Sequence, residues 1–234
     1  MFAYIPARGG SQRIARKNIK TLGGKPIIVH VIQALQAVPG IDRIHVSTDD
    51  REIRAIAEAH GAVCLEPRSS DLSNSKAGFI DLIREDIPRY IEANGGTSEV
   101  VFALATAALV PAAVYSDAIS AFQQNRPDVL MSCESYDHPV WWAFRQKQDG
   151  FWTPIFPDKV QTNSQDLPPA LTDSGLFYVF DQKVLSRFPS HKLVDKLLPY
   201  EVPAAYRCDI DTPEDWERLE WKYHRLHQAT SWQE

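Results

Sequence analysis

Cysteine is scarce in this chain: three in 234 residues, Cys64, Cys133 and Cys208, far apart and never as Cys-x-x-Cys. That excludes a disulfide framework and a thiolate zinc site; the thiols read as small buried hydrophobes of a reducing cytoplasm. Long hydrophobic runs are missing too. No apolar stretch reaches ~18 residues, and no charged start leads into an apolar segment, so the expectation is neither a membrane-spanning nor a secreted chain. Positive charge is not in excess: 25 Lys and Arg face 30 Asp and Glu, a net charge of −5. A general nucleic-acid binder is thereby excluded, and any basic site must be local. The seven histidines show no metal-ligand spacing. Neither the Walker loop nor the Gly-x-Gly-x-x-Gly dinucleotide fingerprint occurs. Repeats and low-complexity tracts are absent.

What is present begins at the N-terminus. The apolar run Phe2-Ala3-Tyr4-Ile5 leads into Ala7-Arg8-Gly9-Gly10-Ser11-Gln12-Arg13-Ile14-Ala15-Arg16-Lys17-Asn18. An apolar strand, then glycines, then basic residues is how a chain offers backbone N–H groups and cations to phosphate. Gly9 and Gly10 are expected to allow positive φ and close backbone approach; Ser11 adds a hydroxyl donor, and Arg8, Arg13, Arg16 and Lys17 supply charge. A solvated basic loop is the competing reading.

Downstream, strand and helix signals alternate. Pro26 opens a helix to Ala37 with Ile28, Val31, Ile32 and Leu35 on one face. Residues 41–48 alternate as a strand, and Asp49-Asp50 caps a helix over 51–60 that Gly61 ends. A short strand is expected at 62–65, a helix over 76–93 that Pro88 kinks, a strand at 99–104, a helix over 111–125 and a strand at 128–132. This pace implies an α/β fold: a mostly parallel sheet with helices on both faces and ligands beyond the strand C-termini. Residues 136–172 break the pattern, with Trp141-Trp142, Phe151-Trp152 and Pro168-Pro169. They read as an insertion of antiparallel strands and loops whose aromatics suit either a subunit interface or a satellite core. Strand character returns at 175–180 and again at 205–211. Thr212-Pro213-Glu214-Asp215 then starts a last helix with Trp216, Leu219, Tyr223 and Leu226 on one face.

Asp209 and Asp211 flank Ile210, so on an extended segment their carboxylates share a side, about 7 Å apart. Paired hard oxygens facing phosphate suit Mg²⁺, which keeps much of its shell as water and substrate. The alternative is that Asp211 merely caps the last helix.

Taken together, the 7–18 loop, Ser47-Thr48-Asp49-Asp50 and Cys208-Asp209-Ile210-Asp211-Thr212-Pro213-Glu214-Asp215 resemble the CMP-nonulosonate synthetases, the acylneuraminate cytidylyltransferases. Ser164-Gln165-Asp166-Leu167-Pro168 and Asp173-Ser174-Gly175-Leu176-Phe177-Tyr178 are similar to the pseudaminic acid branch. The resemblance spans nearly the whole chain. It implies one Rossmann-like nucleotidyltransferase domain over residues 1–234, with an inserted dimerisation region at about 136–172 that makes a homodimer. It also implies Mg²⁺-dependent transfer of CMP from CTP to an acidic keto-sugar, with pyrophosphate released. By resemblance, Arg8, Gly9, Gly10 and Ser11 hold the nucleotide, and Lys17 and Asn18 contact its phosphates or ribose. Gln12, Arg13, Thr106, Gln165, Asp166 and Asp173 are further substrate-binding positions, and Asp209 and Asp211 bind the metal. Departures from the family pattern are specific. Gln12 stands where lysine is usual, Ala15 where proline is usual, and Ala105-Thr106-Ala107-Ala108 where the family has Pro-Thr-Ser/Ala-Pro. Trp141-Trp142 and Asn163 replace residues that include an arginine at each place. These substitutions keep two alternatives in view: a degenerate nucleotide-binding homologue, and a cytidylyltransferase for another keto-sugar acid.

Overall fold

The computed structural model describes residues 1–74, 78–182, 184 and 195–228. The chain opens with β1 (Phe2–Pro6), the loop 7–20 and a small antiparallel pair, β2 (Thr21–Leu22) and β3 (Lys25–Pro26). Then come α1 (Ile27–Gln36), β4 (Arg43–Ser47), α2 (Arg51–Ala59), α3 (Ser70–Ser73), α4 (Phe79–Asp81), α5 (Ile87–Ala93), β5 (Glu99–Ala103), α6 (Ala112–Asn125) and β6 (Val129–Ser135). The antiparallel pair β7 (Phe144–Gln146) and β8 (Trp152–Pro154) precedes β9 (Leu171–Asp181), β10 (Leu197–Glu201) and α7 (Pro213–Gln228). Six strands form one sheet in the order β10-β6-β9-β5-β1-β4. The pairs β1/β4, β1/β5 and β6/β10 are parallel, while β9 runs antiparallel to both of its neighbours. No helix among the described residues is long and apolar enough to cross a membrane.

Both faces of the sheet are covered, as the near-continuous apolar strands require. On β1, Ala3 and Ile5 pack toward α1, α2 and α6, while Phe2 and Tyr4 pack with Ile83, Ile87, Tyr90 and Ile91 on the other side. The period of two along a strand divides these residues between the two layers. A third cluster, with Ile14, Leu22, Ile27, Ile210, Trp216 and Leu219, seats α7 beside the first loop. The α1 face of Ile28, Val31, Ile32 and Leu35 is fully buried, and the α7 face packs as its spacing implies. Asp50 caps α2 by accepting from the N–H groups of Glu52 and Ile53. The helix that carries Pro88 is divided just before it. Pro88 has no N–H for the Arg84 carbonyl, and the preceding turn widens into a π-helix over Leu82–Asp86.

Two expectations are corrected. Residues 62–65 make only one bridge, His45 with Val63, because Val63 and its neighbours lie at the sheet edge beyond β4. Residues 205–211 are a 3₁₀ turn (Ala204–Tyr206) and unpaired backbone, whereas the strand lies earlier, at β10. β10 contains Pro199, which an edge strand tolerates because one side of its ladder needs no donor. At the end of the 136–172 region, Leu171 and Thr172 pair with Ser135 and Glu134 of β6. The β6/β9 register shifts between Met131 and Cys133, where Gly175 takes φ +62° in the facing strand. The start of the 76–93 helix lies partly outside the described residues.

Candidate active site

β1, β4 and β5 are parallel and in register, so Pro6, Ser47 and Ala103 end on one side of the sheet. The segments that follow them, 7–20, 48–50 and 104–107, therefore meet there. Between the first and the last of these segments lies a cavity of about 490 Å³, and Arg8, Ser11, Gln12, Arg13, Lys17, Asn18 and Thr106 of the residues singled out from sequence line it. Arg68, Asn74, Phe79, Phe102 and Leu104 complete much of its wall.

The loop and the acidic pair, some two hundred residues apart in sequence, face each other. The Arg13 guanidinium donates to Asp211 Oδ1 at 2.7 Å, and Lys17 Nζ lies 3.8 Å from the same oxygen. Lys17 also donates to the Ile210 carbonyl. Burial pushes the Lys17 ammonium pKa below its ordinary value, and Asp211 and Asp209 pull it back up. Asp209 remains accessible to solvent at its surface. Even so, the protein packed around its carboxyl, and next the negative charge of Asp211, raise its pKa above the ordinary carboxylate range. Two acids that disfavour each other's charge beside a cationic loop form an electrostatic arrangement that a cation would relieve. The helix-cap alternative for Asp211 fails. The α7 cap is a reciprocal pair in which Asp215 N–H donates to Thr212 Oγ1 and the Asp215 carboxylate accepts from Thr212 N–H. Asp209 and Asp211 also line a second, polar cavity on their far side, with Arg207, Arg218 and Lys222.

Several assigned roles change on contact with the geometry. Neither Gly9 nor Gly10 has positive φ, and the left-handed residue of the loop is Arg16, at φ 54°. Gly9 is required for space instead: a Cβ there would lie 2.6 Å from Asp50 Oδ2. Arg16 is absent from the cavity lining, unlike the other three loop cations; it turns to Asp50 and Glu52. Asn18 uses its amide to donate to the Arg8 carbonyl at 2.9 Å, bracing the loop from within. Asp173 accepts from Gly175 N–H and the Tyr178 hydroxyl, closing its own turn, and it lines a separate apolar cavity beside Phe79 and Tyr178. Gln165 and Asp166 sit on an exposed 3₁₀ turn of the insertion and line none of these cavities. Among the described residues no group of three or more His, Cys, Asp or Glu is arranged around a metal position.

Arg68 was missed from sequence. It is 5% exposed, its Nε donates to Ser73 Oγ at 3.1 Å, and its backbone N–H is tied to the Thr48 carbonyl. An arginine this buried in a cavity wall marks an anionic or strongly polar ligand. A lone basic residue in a Ser-rich stretch was its only signal.

A family profile described as Cytidylyltransferase matches residues 2–141. The pseudaminic acid cytidylyltransferase of Campylobacter jejuni is 31% identical over 230 residues, covering 96% of this chain and 97% of the relative. An N-acylneuraminate cytidylyltransferase of Oncorhynchus mykiss is 27% identical over 96% of this chain and 50% of its own length. In fold, the chain matches a CMP:2-keto-3-deoxy-manno-octonic acid synthetase solved with CTP. That match has a TM-score of 0.71 and 17% identity, covering 97% of this chain and 98% of that one.

Proposed function

The chain belongs to the cytidylyltransferase family, and on that premise we propose that it transfers CMP from CTP to a nonulosonic acid of the pseudaminic or sialic type. The anomeric hydroxyl of the keto-sugar acid forms a bond to the α-phosphorus, the α–β phosphoanhydride breaks, and pyrophosphate leaves. The observation that carries this reading is the direct approach of Arg13 and Lys17, two cations of the cavity wall at the strand ends, to Asp211. Phosphoryl transfer depends on positioning and on neutralising charge more than on covalent chemistry by the protein. Arg8, Ser11, Gln12, Arg13 and Lys17 supply donors along one wall of the cavity; Thr106 faces them from the β5 end. Gln12 donates hydrogen bonds without charge, so the cationic work on the triphosphate falls to Arg8, Arg13 and Lys17.

The donor set fits a magnesium ion. Asp209 and Asp211 are hard oxygen ligands whose mutual repulsion a divalent cation would offset, and two carboxylates leave room for water and phosphate. Held there, Mg²⁺ would neutralise charge that builds on the transferred group and on the pyrophosphate. Asp211 must then exchange its Arg13 partner, which frees the guanidinium for phosphate.

The insertion supports a homodimer. Phe144, Phe151, Trp152 and Ile155 are exposed on or beside its hairpin, an unusual density of large apolar side chains for a free surface. Gln165 and Asp166 line none of the cavities described in their own chain, and at the site of a second copy they would serve the sugar acid. Three unpaired cysteines agree with a reducing, cytoplasmic setting.

The test is pyrophosphate release from CTP with Mg²⁺ against a panel of nonulosonic and octulosonic acids. Release with a nine-carbon acid is expected. Silence across the panel refutes the reading, and release only with an octulosonic acid moves the substrate class. Gln12 motivates the degenerate alternative, for which the sign is an inactive parent rescued by Gln12→Lys.

A further inference from the structure

The first loop, residues 7–20, has one 3₁₀ turn at Lys17–Ile19 and is otherwise irregular, yet it holds a defined shape. Its shape comes from the neighbouring strand end. Pro6 pairs with Ser47, and Ala7 N–H continues the ladder to the Ser47 carbonyl at 2.9 Å, so the residues leaving β1 run beside those leaving β4. Gly9 N–H then donates to Asp49 Oδ1 at 2.9 Å. Gly9 also lies so close to Asp50 that no Cβ fits. At the far end of the loop, Arg16 grips Asp50 through both terminal nitrogens and reaches Glu52 at 2.6 Å. Arg16 is one of only two non-glycine residues with positive φ among the described residues, a conformation that needs outside contacts to persist. Hydrogen bonds from Arg16 hold the Asp50 carboxyl down at about 2, so the pair is ionised throughout the working pH range.

We infer that Asp49 and Asp50 form a template on which the nucleotide loop is moulded, with Arg16 as its clip. They are positioning residues, and the inference rests on the proposed CTP-binding role of the loop. Asp49 receives the first half of the loop and Asp50 the second. Between these two fixed points, Ser11, Gln12 and Arg13 are left facing the cavity, and Lys17 follows immediately after the clip. Asp50 therefore has two separable duties: its oxygens cap α2 through Glu52 and Ile53 N–H, and the same carboxylate anchors Arg16.

Asparagine separates those duties, because it caps a helix about as well as aspartate but offers Arg16 no charge. Full-length parent, Asp50→Asn, Arg16→Gln and the double variant are compared by amide hydrogen exchange without nucleotide and by calorimetric titration with CTP. In both single variants, exchange at residues 9–17 is expected to rise about tenfold while α2 stays protected. CTP affinity should fall about five- to tenfold, since a smaller fraction of molecules holds the competent loop, and the double variant should be no worse than the weaker single. In turnover assays KM for CTP should rise by the same factor while kcat at saturating CTP stays within about twofold, a split that general destabilisation would not produce.

Single variants that keep loop exchange and CTP affinity within about twofold of the parent overturn the inference, as does strictly additive behaviour in the double variant. Looser loop amides without any change in CTP affinity overturn it too. A parent that binds no CTP, with loop amides that still respond to Asp50→Asn, overturns the functional reading and leaves the template standing.

Discussion

The first loop and the insertion are both long, irregular and rich in side chains of mixed character, and the structure treats them in opposite ways. The loop is stitched to two distant parts of the chain, Asp49-Asp50 and Ile210-Asp211, with Ile14 buried beneath it against Ile210 and Trp216. The insertion is stitched mainly to itself. The Trp141 indole donates to the Pro168 carbonyl and the Trp142 indole to the Thr162 carbonyl, both inside the same segment. Two of its large apolar groups, Phe151 and Trp152, are 71% and 63% exposed. One irregular segment is fixed by its own chain, whereas the other leaves large apolar groups in water.

The contrast breaks most visibly at Asp211. Asp211→Ala should lower Mg²⁺-dependent pyrophosphate release by about 100-fold or more while the melting temperature moves little, because Thr212 and Asp215 hold the helix cap without it. Unchanged turnover would mean that the loop and the acidic pair do not form one site. Lys17→Ala should raise KM for CTP roughly tenfold, an effect that shrinks as salt is added. A rise confined to the KM of the sugar acid would reassign the loop.

On the other side of the comparison, Phe151→Ser with Trp152→Ser should halve the mass found by light scattering from a two-chain to a one-chain species. A monomeric parent would show that these aromatics serve no self-association. The smallest effect concerns the Asp50 tether. A carboxyl whose pKa falls on folding adds stability above its unfolded pKa near 3.8 and loses that stability as pH drops toward about 2. Asp50→Asn should therefore melt about 2 °C lower at pH 6, and the gap should close between pH 4 and pH 2. Asp209 has the reverse sign. Its raised pKa favours the fold when the carboxyl is protonated and costs stability as pH rises through that pKa, so Mg²⁺ should raise the melting temperature at pH 7 and have little effect near pH 3.

Much of the architecture was legible from local pattern. The α1 face, the Asp50 cap, the break before Pro88 and the Thr212-Asp215 box all act over one or two turns, which is the range that periodicity and capping rules report. β10 was not legible, because a strand of five residues containing a proline carries almost no alternation signal. Arg68 escaped for a related reason: its significance lies in being buried in a cavity wall, which no neighbour in sequence announces. Gly9 was singled out correctly but for the wrong physics, since the reason for glycine is the carboxylate of Asp50 across the sheet end and not the backbone angle.

The sequence by itself determined the layered α/β class, the phosphate-seeking composition of residues 7–18 and the acidic pair before α7. Each of these is written in side-chain type at short spacing, and burial and charge act on it locally. Only the tertiary structure decided that Arg13 and Lys17 meet Asp211, that Arg16 leaves the phosphate set to grip Asp50, and that Gln165 and Asp166 stand apart from the cavity. Those outcomes depend on strand order and on which strand ends lie level with one another, and hydrogen bonds and ion pairs act only over a few ångströms.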